Sequence, residues 1–281
     1  MDDRFADDIV MVTGASGLVG AGIAAAFLDE GARVVAMGNK NPLTAGTSYA
    51  KLDPETFDNE RVLWLKKDLK KDEDIESAFA ETEEHWGPVS VLVNNAAVYG
   101  GRTPFEDVDR TNLQHIMDVN LFAVLLCGRR AALAMIENKI RGRIVNMTST
   151  SSMQSEGWWG YEASKGAVNS ATRGMAVSLA PYGIRVNAVG PGQMVKAQET
   201  DNLHDEDMLM PFERARIPLG HVATPQECAD ATLFLCSEAS RGITGTILWV
   251  EGGTLGSWCT MPENIALHSA PREKVDLPLN K

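Results

Sequence analysis

Seven short apolar segments recur along this chain with helix-length stretches between them, and this alternation is the strongest constraint on its fold. The segments read DIVMVTG, ARVVAM, RVLWL, VSVLVNN, GRIVNMTS, GIRVNAV and GTILWV. Continuous β-branched and aliphatic runs are typical of strands that are buried on both faces. Strands separated by helices pair in parallel through right-handed crossovers. The sequence therefore predicts an α/β fold with a doubly wound parallel sheet of about seven strands and helices on both faces.

The alternation continues almost to the end of the chain and predicts one domain over residues 1–253. No internal repeat and no Pro/Gly/Ser linker divides it. Residues 194–222 interrupt the sixth strand-helix connection with acids, methionines and prolines, and long loops in compact domains often bind ligands. We interpret 194–222 as a substrate loop and 254–281, which contains three prolines and little helical period, as a C-terminal extension.

Charge and cysteine usage exclude several classes of partner. The chain has 26 basic and 38 acidic residues, a net charge of −12, which argues against nucleic acid or an anionic membrane as the main partner. Its four cysteines form no C-x-x-C pair, and its acidic clusters are typical of solvated helix faces, so we expect reduced thiols and no metal site. No apolar run approaches a membrane span, and the N-terminus carries acids, so we expect a cytoplasmic protein.

A glycine-rich turn follows the first predicted strand. The stretch TGASGLVG places Gly14, Gly17 and Gly20 between that strand and a helical pattern. Glycine lets the backbone approach a pyrophosphate closely, and the positive end of the following helix faces the anion. A purely structural turn is the alternative, because a glycine trio by itself is a weak signal.

The end of the second strand bears on the choice of cofactor. It reads MGNK, so Gly38 and Asn39 stand where an NAD site normally carries an acid for the ribose 2′-OH. Lys40 comes next and would reduce the repulsion of a 2′-phosphate. NADP(H) is therefore favoured, NAD(H) stays open, and a solvated loop role for Lys40 is the alternative.

The segment YEASK places Tyr161 four residues before Lys165. Positions i and i+4 of a helix lie on the same face, so the two side chains point the same way. An ammonium near a phenol favours the phenolate and lowers a pKa that starts near 10. The pair is either an exposed helix pair or a device for proton transfer.

Taken together, these motifs resemble the short-chain dehydrogenase/reductase family from about Asp8 to Gly253. The resemblance rests on TGASGLVG, NNAA at 94–97, DVNLF, the serine after GRIVNMT, YEASK, VGPG at 189–192 and ITGTILWVEGG. It implies a Rossmann-like fold and an NAD(P)(H)-dependent oxidoreductase that interconverts a secondary alcohol and a ketone. The implied catalytic set is Asn120, Ser149, Tyr161 and Lys165. Tetramers are common in the family, so the resemblance also implies a homo-oligomer, either tetramer or dimer.

The resemblance further implies a cofactor site along the strand ends. Asp68 would hold the adenine, Asn94 the adenosine side, and Pro191 and Gly192 the nicotinamide. The complete set of implied cofactor-binding residues is Gly14, Ser16, Gly17, Leu18, Gly20, Gly38, Asn39, Lys40, Asp68, Leu69, Asn95, Ala96, Ala97, Tyr161, Lys165, Pro191, Gly192 and Met194.

The chemistry of ketone reduction explains why these residue types are needed. In the family the tyrosine supplies the proton for the substrate oxygen, and we expect Lys165 to lower the pKa of Tyr161 by about 3 units. Ser149 would hydrogen-bond the substrate oxygen. Thr148, Ser151 and Ser152 are rivals for that role, and Ser149 is preferred because it ends the GRIVNMT strand.

The predicted substrate pocket lies between the serine and the tyrosine. One of the two tryptophans, Trp158 or Trp159, would form a wall of this pocket. The residues opposite would be Met153, Gln154, Gln193, Met194 and the methionines of 208–212. Subunit packing is the alternative for the tryptophans. The predicted substrate residues are Ser151, Gln154, Trp158, Trp159 and Gln193.

Two departures from the family pattern leave other functions open. Leu18 stands where single-domain members usually carry glycine, a form closer to nucleotide-sugar epimerases and dehydratases with a tightly held nicotinamide. Lys196 stands where a threonine often bonds the carboxamide. A non-catalytic dinucleotide sensor is the third hypothesis, disfavoured because the whole catalytic set is present.

Overall fold

The sheet has the predicted seven parallel strands. The structure is a computed structural model that describes residues 3–39, 60–101, 104–194 and 216–256. The strands are β1 Ile9–Thr13, β2 Arg33–Gly38, β3 Val62–Lys66, β4 Val91–Asn94, β5 Arg143–Met147, β6 Arg185–Pro191 and β7 Ile247–Val250. They pair in the order β3-β2-β1-β4-β5-β6-β7, each neighbour in parallel register. The predicted Rossmann-like fold is confirmed, and all seven predicted segments are strands.

Six helices of eight or more residues connect these strands in the described part of the chain. They are α1 Leu18–Asp29, α2 Asp72–His85, α3 Arg110–Met117, α4 Ala123–Glu137, α5 Trp159–Leu179 and α6 Pro225–Cys236. A π-helical segment, Asp118–Phe122, joins α3 to α4. Helix α6 shows how local sequence fixes an end: Thr224 and Glu227 form a capping box, and Pro225 occupies the first turn.

Residues of each strand alternate between two cores, one on each face of the sheet. In β1, Val10 and Val12 pack with α1 and α6, whereas Ile9 and Met11 pack with α2, α4 and α5. Because successive strand side chains point to opposite faces, a strand that is buried on both faces needs apolar residues at every position. This requirement explains the uninterrupted apolar runs in the sequence.

A chain of buried polar side chains ties α5 to the centre of the sheet. The Asn94 amide donates to Asn146 Oδ1 at 2.9 Å, and the Asn146 amide donates to Thr172 Oγ1 at 3.0 Å. All three side chains are buried. Because an unpaired buried amide is costly, these bonds fix how α5 lies on β4 and β5.

The apolar helices and the thiols belong to the cores. The continuous helical stretch Arg110–Glu137 is long and apolar enough to cross a membrane, yet half of its most apolar window is buried within the fold. Cys127, Cys228 and Cys236 are buried, and burial raises the pKa of each thiol to about 12. Such thiols are unreactive at neutral pH. Cys259 lies outside the described residues.

Two helical glycines provide a matched test of the packing around the glycine turn. A Cβ at Gly20 would clash with the Gly14 carbonyl and the Asn95 amide, whereas a Cβ at Gly174 would meet open space. We expect Gly20→Ala to lower the free energy of unfolding by about 1 to 3 kcal/mol. Gly174→Ala should raise it by about 0.5 to 1 kcal/mol. Urea unfolding at one protein concentration measures both, and equal effects of the two variants would contradict this packing.

Candidate active site

A cleft of about 780 Å³ opens at the carboxyl ends of β1, β4, β5 and β6. Parallel strands end at the same edge of a sheet, which is where open α/β sheets bind ligands. Twelve of the residues predicted for the site line this cleft: Asn95, Ala97, Ser149, Ser151, Gln154, Trp158, Tyr161, Lys165, Pro191, Gly192, Gln193 and Met194.

The glycine turn forms the cofactor end of the cleft. Gly14 has φ +67°, which glycine adopts without strain, and the Asn95 amide donates to the carbonyls of Thr13 at 2.9 Å and Gly14 at 3.2 Å. Gly17 caps α1 without any side-chain hydrogen bond to its amides. Backbone amides at a helix start attract an anion, and the turn fits a dinucleotide pyrophosphate.

The end of β2 is closely packed. A Cβ at Gly38 would lie 2.9 Å from Ser16 Oγ and 3.0 Å from Trp64 Cη2, which explains the glycine at this position. Asn39 is exposed beside it. Lys40 and Lys196 lie outside the described residues, as does 195–215 of the predicted substrate loop.

Three residues predicted from the strand ends have different surroundings. The Asn94 side-chain amide is used inside the sheet, by Asn146 and by the Val124 carbonyl at 3.3 Å, and Asn94 is not among the residues that line the cleft. Leu69 packs against the core beneath α2. Asp68 is half-buried at the end of β3, where its carboxylate accepts from the Lys70 amide at 3.1 Å.

Tyr161 and Lys165 lie on the same face of α5, as the helical period predicts. The Lys165 ammonium lies 5.6 Å from the centre of the Tyr161 ring. Lys165 Nζ donates to the Met147 carbonyl at 2.7 Å, which ties α5 to the end of β5. Both side chains are buried at the cleft.

The expected net lowering of the Tyr161 pKa is wrong, because the pKa of this phenol is raised. Burial is the largest cause, the neighbouring Tyr99 phenol adds to it, and hydrogen bonding by Ser149 opposes it. Burial also lowers the pKa of Lys165 to about 8, so the amine keeps its proton at pH 7 and loses it as the pH rises past about 8. The structure thus holds Tyr161 as a protonated acid.

Ser149 differs in its surroundings from the neighbouring hydroxyls. It caps a short 3₁₀ turn by accepting from the Ser151 amide at 3.1 Å. Its hydrogen bonding also lowers the pKa of the Tyr161 phenol, against the effect of burial. Thr148 instead donates to the Lys165 carbonyl, and Ser152 donates to the Ser149 carbonyl while accepting from Asn169. Of the rivals, Thr148 and Ser151 line the cleft together with Ser149, whereas Ser152 lies outside the lining.

Asn120 is fully buried in the π-helical segment and joins three parts of the site. Its Oδ1 accepts from the Val98 amide at 2.8 Å, and its Nδ2 donates to the Val98 carbonyl at 2.8 Å and to Ser164 Oγ at 3.0 Å. Ser164 in turn donates to the Tyr161 carbonyl at 2.7 Å. The side chain therefore connects the loop after β4 to the helix that carries Tyr161.

A family model described as "Enoyl-(Acyl carrier protein) reductase", of short-chain dehydrogenase type, matches residues 14–254. The match covers most of the chain. The protein belongs to the short-chain dehydrogenase/reductase family. It is therefore an NAD(P)-dependent oxidoreductase that acts on CH–OH groups.

Individual relatives agree with this assignment. The chain is 36% identical to glucose 1-dehydrogenase of Gluconobacter oxydans over 89% of its own length and 93% of that protein's. Its fold matches 3-ketoacyl-(acyl-carrier-protein) reductase of Brucella melitensis complexed with NADH, with 30% identity, a TM-score of 0.76 and coverage of 88% and 98%. It also matches gluconate 5-dehydrogenase of Burkholderia cenocepacia in complex with NADP and tartrate, with 27% identity, a TM-score of 0.79 and coverage of 92% and 98%.

The two tryptophans of this family member are not equivalent. Trp158 lines the cleft, and its amide donates to Glu162 Oε1 at 3.0 Å. Trp159 is 41% exposed and packs edge-on against Phe105 at 5.2 Å, beside a separate small hollow. Of the two tryptophans offered for the pocket wall, Trp158 lies in the cleft and Trp159 lies outside its lining. Trp158 is the N-cap residue of α5 and has non-helical backbone angles, whereas Trp159 is the first helical residue, so the two side chains leave the chain in different directions.

The structure adds cleft residues that the sequence reasoning missed. Tyr99 stacks on the Tyr161 ring with a centroid distance of 4.5 Å, and Glu156 and Arg216 also line the cleft. Met153, predicted as a wall residue, is 65% exposed and lies outside the lining. The signal for Tyr99 was an aromatic residue directly after NNAAV and before two glycines, at a strand's carboxyl end.

Burial of the Lys165 amine lowers the free energy of unfolding of the protein. Its pKa of about 8, against an ordinary 10.5, corresponds to about 3 kcal/mol lost at pH 7, because folding buries a charged ammonium. We expect Lys165→Met to raise the free energy of unfolding of the cofactor-free protein by up to that amount, less about 1 kcal/mol for the lost bond to Met147.

The pH dependence distinguishes this cause from better packing of methionine. Between pH 8 and about 10.5 the unfolded chain binds the proton that the folded chain has lost, so the natural protein gains stability as pH rises. The advantage of Lys165→Met should therefore shrink across that window in urea unfolding. The exposed Lys71→Met is the control, and a constant advantage at every pH would contradict the explanation.

Proposed function

We propose that Tyr161, Ser149, Lys165 and Asn120 carry the interconversion of a secondary alcohol and a ketone. The observation that supports these roles is the convergence of the first three on one cleft next to the glycine turn. A bound nicotinamide cofactor supplies or accepts the hydride. Val19, Asn95, Pro191 and Gly192 would hold it along the same wall of the cleft.

In ketone reduction, Tyr161 donates its phenolic proton to the substrate oxygen. Its raised pKa supports the acid role, because the phenol stays protonated at neutral pH. Ser149 donates a hydrogen bond to the same oxygen and stabilises the negative charge that develops there. In alcohol oxidation the proton moves the other way, and the phenol must first lose its own proton.

Lys165 and Asn120 act on the position of these groups. Lys165 is held under the Tyr161 ring by its bond to Met147, where its charge favours the phenolate once formed. Asn120 fixes the loop after β4 against α5 through Val98 and Ser164. Both therefore set the geometry at Tyr161 while the substrate contacts the phenol and the serine.

We further propose a small hydroxylated substrate. Ser151, Gln154 and Gln193 place hydroxyl and amide groups along the cleft wall. The relatives named glucose 1-dehydrogenase and gluconate 5-dehydrogenase support a polyol or sugar acid, which such groups bind by hydrogen bonding. An epimerase or dehydratase, the alternative suggested by Leu18, has no such support among these relatives.

Replacing the proposed acid gives the direct test. We expect Tyr161→Phe to lower kcat by about 10²- to 10⁴-fold, because the substrate oxygen loses its proton donor. NAD(P)H binding, followed by fluorescence, should stay intact. Tyr182→Phe, outside the cleft, is the control. Nicotinamide absorbance with D-glucose, D-gluconate, cyclohexanol and 2-propanol measures turnover, and an active Tyr161→Phe enzyme would refute the role.

For the cofactor we propose a preference for NADP(H) over NAD(H). Asn39 is exposed at the end of β2 and carries no charge to repel a 2′-phosphate, and Lys40 follows it in the sequence. The relatives leave this choice open, since one solved structure holds NADH and another NADP.

A charge at position 39 tests the preference. We expect Asn39→Asp to shift the ratio of kcat/KM for NADP⁺ over NAD⁺ towards NAD⁺ by about tenfold or more, equivalent to about 1.4 kcal/mol. The carboxylate repels the 2′-phosphate and accepts from a free ribose hydroxyl. Asn39→Ala is the control for lost contacts, and a ratio unaffected by Asp would exclude position 39 from the site.

We also propose that the protein is a cytoplasmic homo-oligomer, as a tetramer or dimer. Leu125 and Leu133 on α4 and Val177 on α5 are exposed large apolar side chains, and apolar side chains of this kind are enriched in subunit interfaces. The buried thiols Cys127 and Cys228 suit a reducing compartment.

A further inference from the structure

Tyr99 covers the Tyr161 ring although more than half of its own surface is exposed. The two rings are stacked, with centroids 4.5 Å apart and an interplanar angle of 24°. Trp158 meets Tyr99 edge-on at 5.7 Å and 61°. Tyr99 is 58% exposed and lines the cleft. One ring face thus contacts Tyr161, and much of the remaining surface is open to a ligand.

The backbone on both sides of Tyr99 is fixed. On one side, Asn120 holds the Val98 amide and carbonyl with two bonds of 2.8 Å. On the other, Gly100 has φ +77° and its carbonyl accepts from the Asn112 amide at 3.1 Å. A Cβ at Gly100 would clash with Ile116. The position of the Tyr99 ring is therefore built into the loop and does not depend on the substrate.

The groups facing Tyr161 come from four parts of the described chain. Tyr99 lies on the loop after β4, Glu156 on the loop before α5 and Lys165 on α5 itself, with the neutral Ser149 at the end of β5. A hydrogen bond raises the pKa of a phenol when the phenol is its donor, because only the protonated form donates. Tyr99 acts in this direction and Ser149 in the other.

We propose that Tyr99 is a positioning and specificity-determining residue, which covers the Tyr161 ring and presents an aromatic wall to the substrate. The proposal rests on the catalytic role proposed for Tyr161. An aromatic face carries partial negative charge and packs well against C–H groups. The carbon face of a cyclic alcohol or a sugar ring therefore fits this wall, with its hydroxyl groups directed to Ser149 and Gln154.

Two variants test the contributions of the Tyr99 hydroxyl and of the Tyr99 ring separately. Tyr99→Phe keeps the ring but removes the hydroxyl group, whose hydrogen bonding raises the pKa of Tyr161. In alcohol oxidation we expect the rise of kcat with pH to move to lower pH, while the KM for substrate stays within about twofold. Tyr99→Ala removes the wall and should raise the KM for cyclohexanol and D-glucose by about threefold to tenfold. The KM for acyclic 2-propanol should rise less than the KM for these two ring compounds.

The controls distinguish this proposal from the catalytic assignment. Tyr182→Ala, at the far end of α5, removes a tyrosine of similar exposure, 55%, and should change neither readout. An unmoved pH profile in Tyr99→Phe, or equal changes of KM for ring and acyclic alcohols in Tyr99→Ala, overturns the role of Tyr99. Full turnover in Tyr161→Phe overturns the proposed function itself, and it is measured in a different variant.

Discussion

The reversal of strand order between β1 and β4 is the constraint on which the site depends. The two strands pair in parallel, so their carboxyl ends lie at one edge of the sheet. The chain leaves β1 towards β2 on one side and leaves β4 towards β5 on the other, so the crossover helices diverge and leave a crevice. The glycine turn after β1 and the loop after β4 meet across it, and the ends of β5 and β6 extend the same edge. One topological feature thus gathers residues from four strands.

Asn120 makes this arrangement rigid. The π-helical segment turns its side chain inward, where it binds the backbone of Val98 and the hydroxyl of Ser164. An amide has both donors and an acceptor, so one side chain can satisfy a loop and a helix together. Its position couples the wall formed by Tyr99 to the helix that carries Tyr161.

Burial shifts the pKa values of the site residues and also lowers the stability of the fold. A buried amine and a buried phenol both resist carrying charge, so the pKa of Lys165 falls and that of Tyr161 rises. The cores beneath the cleft offset this cost, because β1 and its neighbours bury apolar side chains on both faces. Destabilised groups held by a stable scaffold are a common compromise between stability and activity.

The sequence by itself determined the strands, the glycine turn and the shared helix face of Tyr161 and Lys165. Uninterrupted apolar runs predicted all seven strands, because a strand buried on both faces has no polar position. The spacing of Tyr161 and Lys165 predicted their shared face, because the helical period is fixed. The glycine turn was equally local, since it depends on backbone conformations that only glycine adopts freely.

Tertiary structure alone decided what depends on contacts between distant segments. It placed Tyr99 on Tyr161 and turned Asn94 into the sheet, and it put Trp158 but not Trp159 into the cleft. It also set the sign of the pKa change at Tyr161, because burial and neighbours from other elements outweigh a lysine one helical turn away. Periodicity fixes the direction in which a side chain leaves its own helix or strand, whereas only packing fixes what that side chain meets.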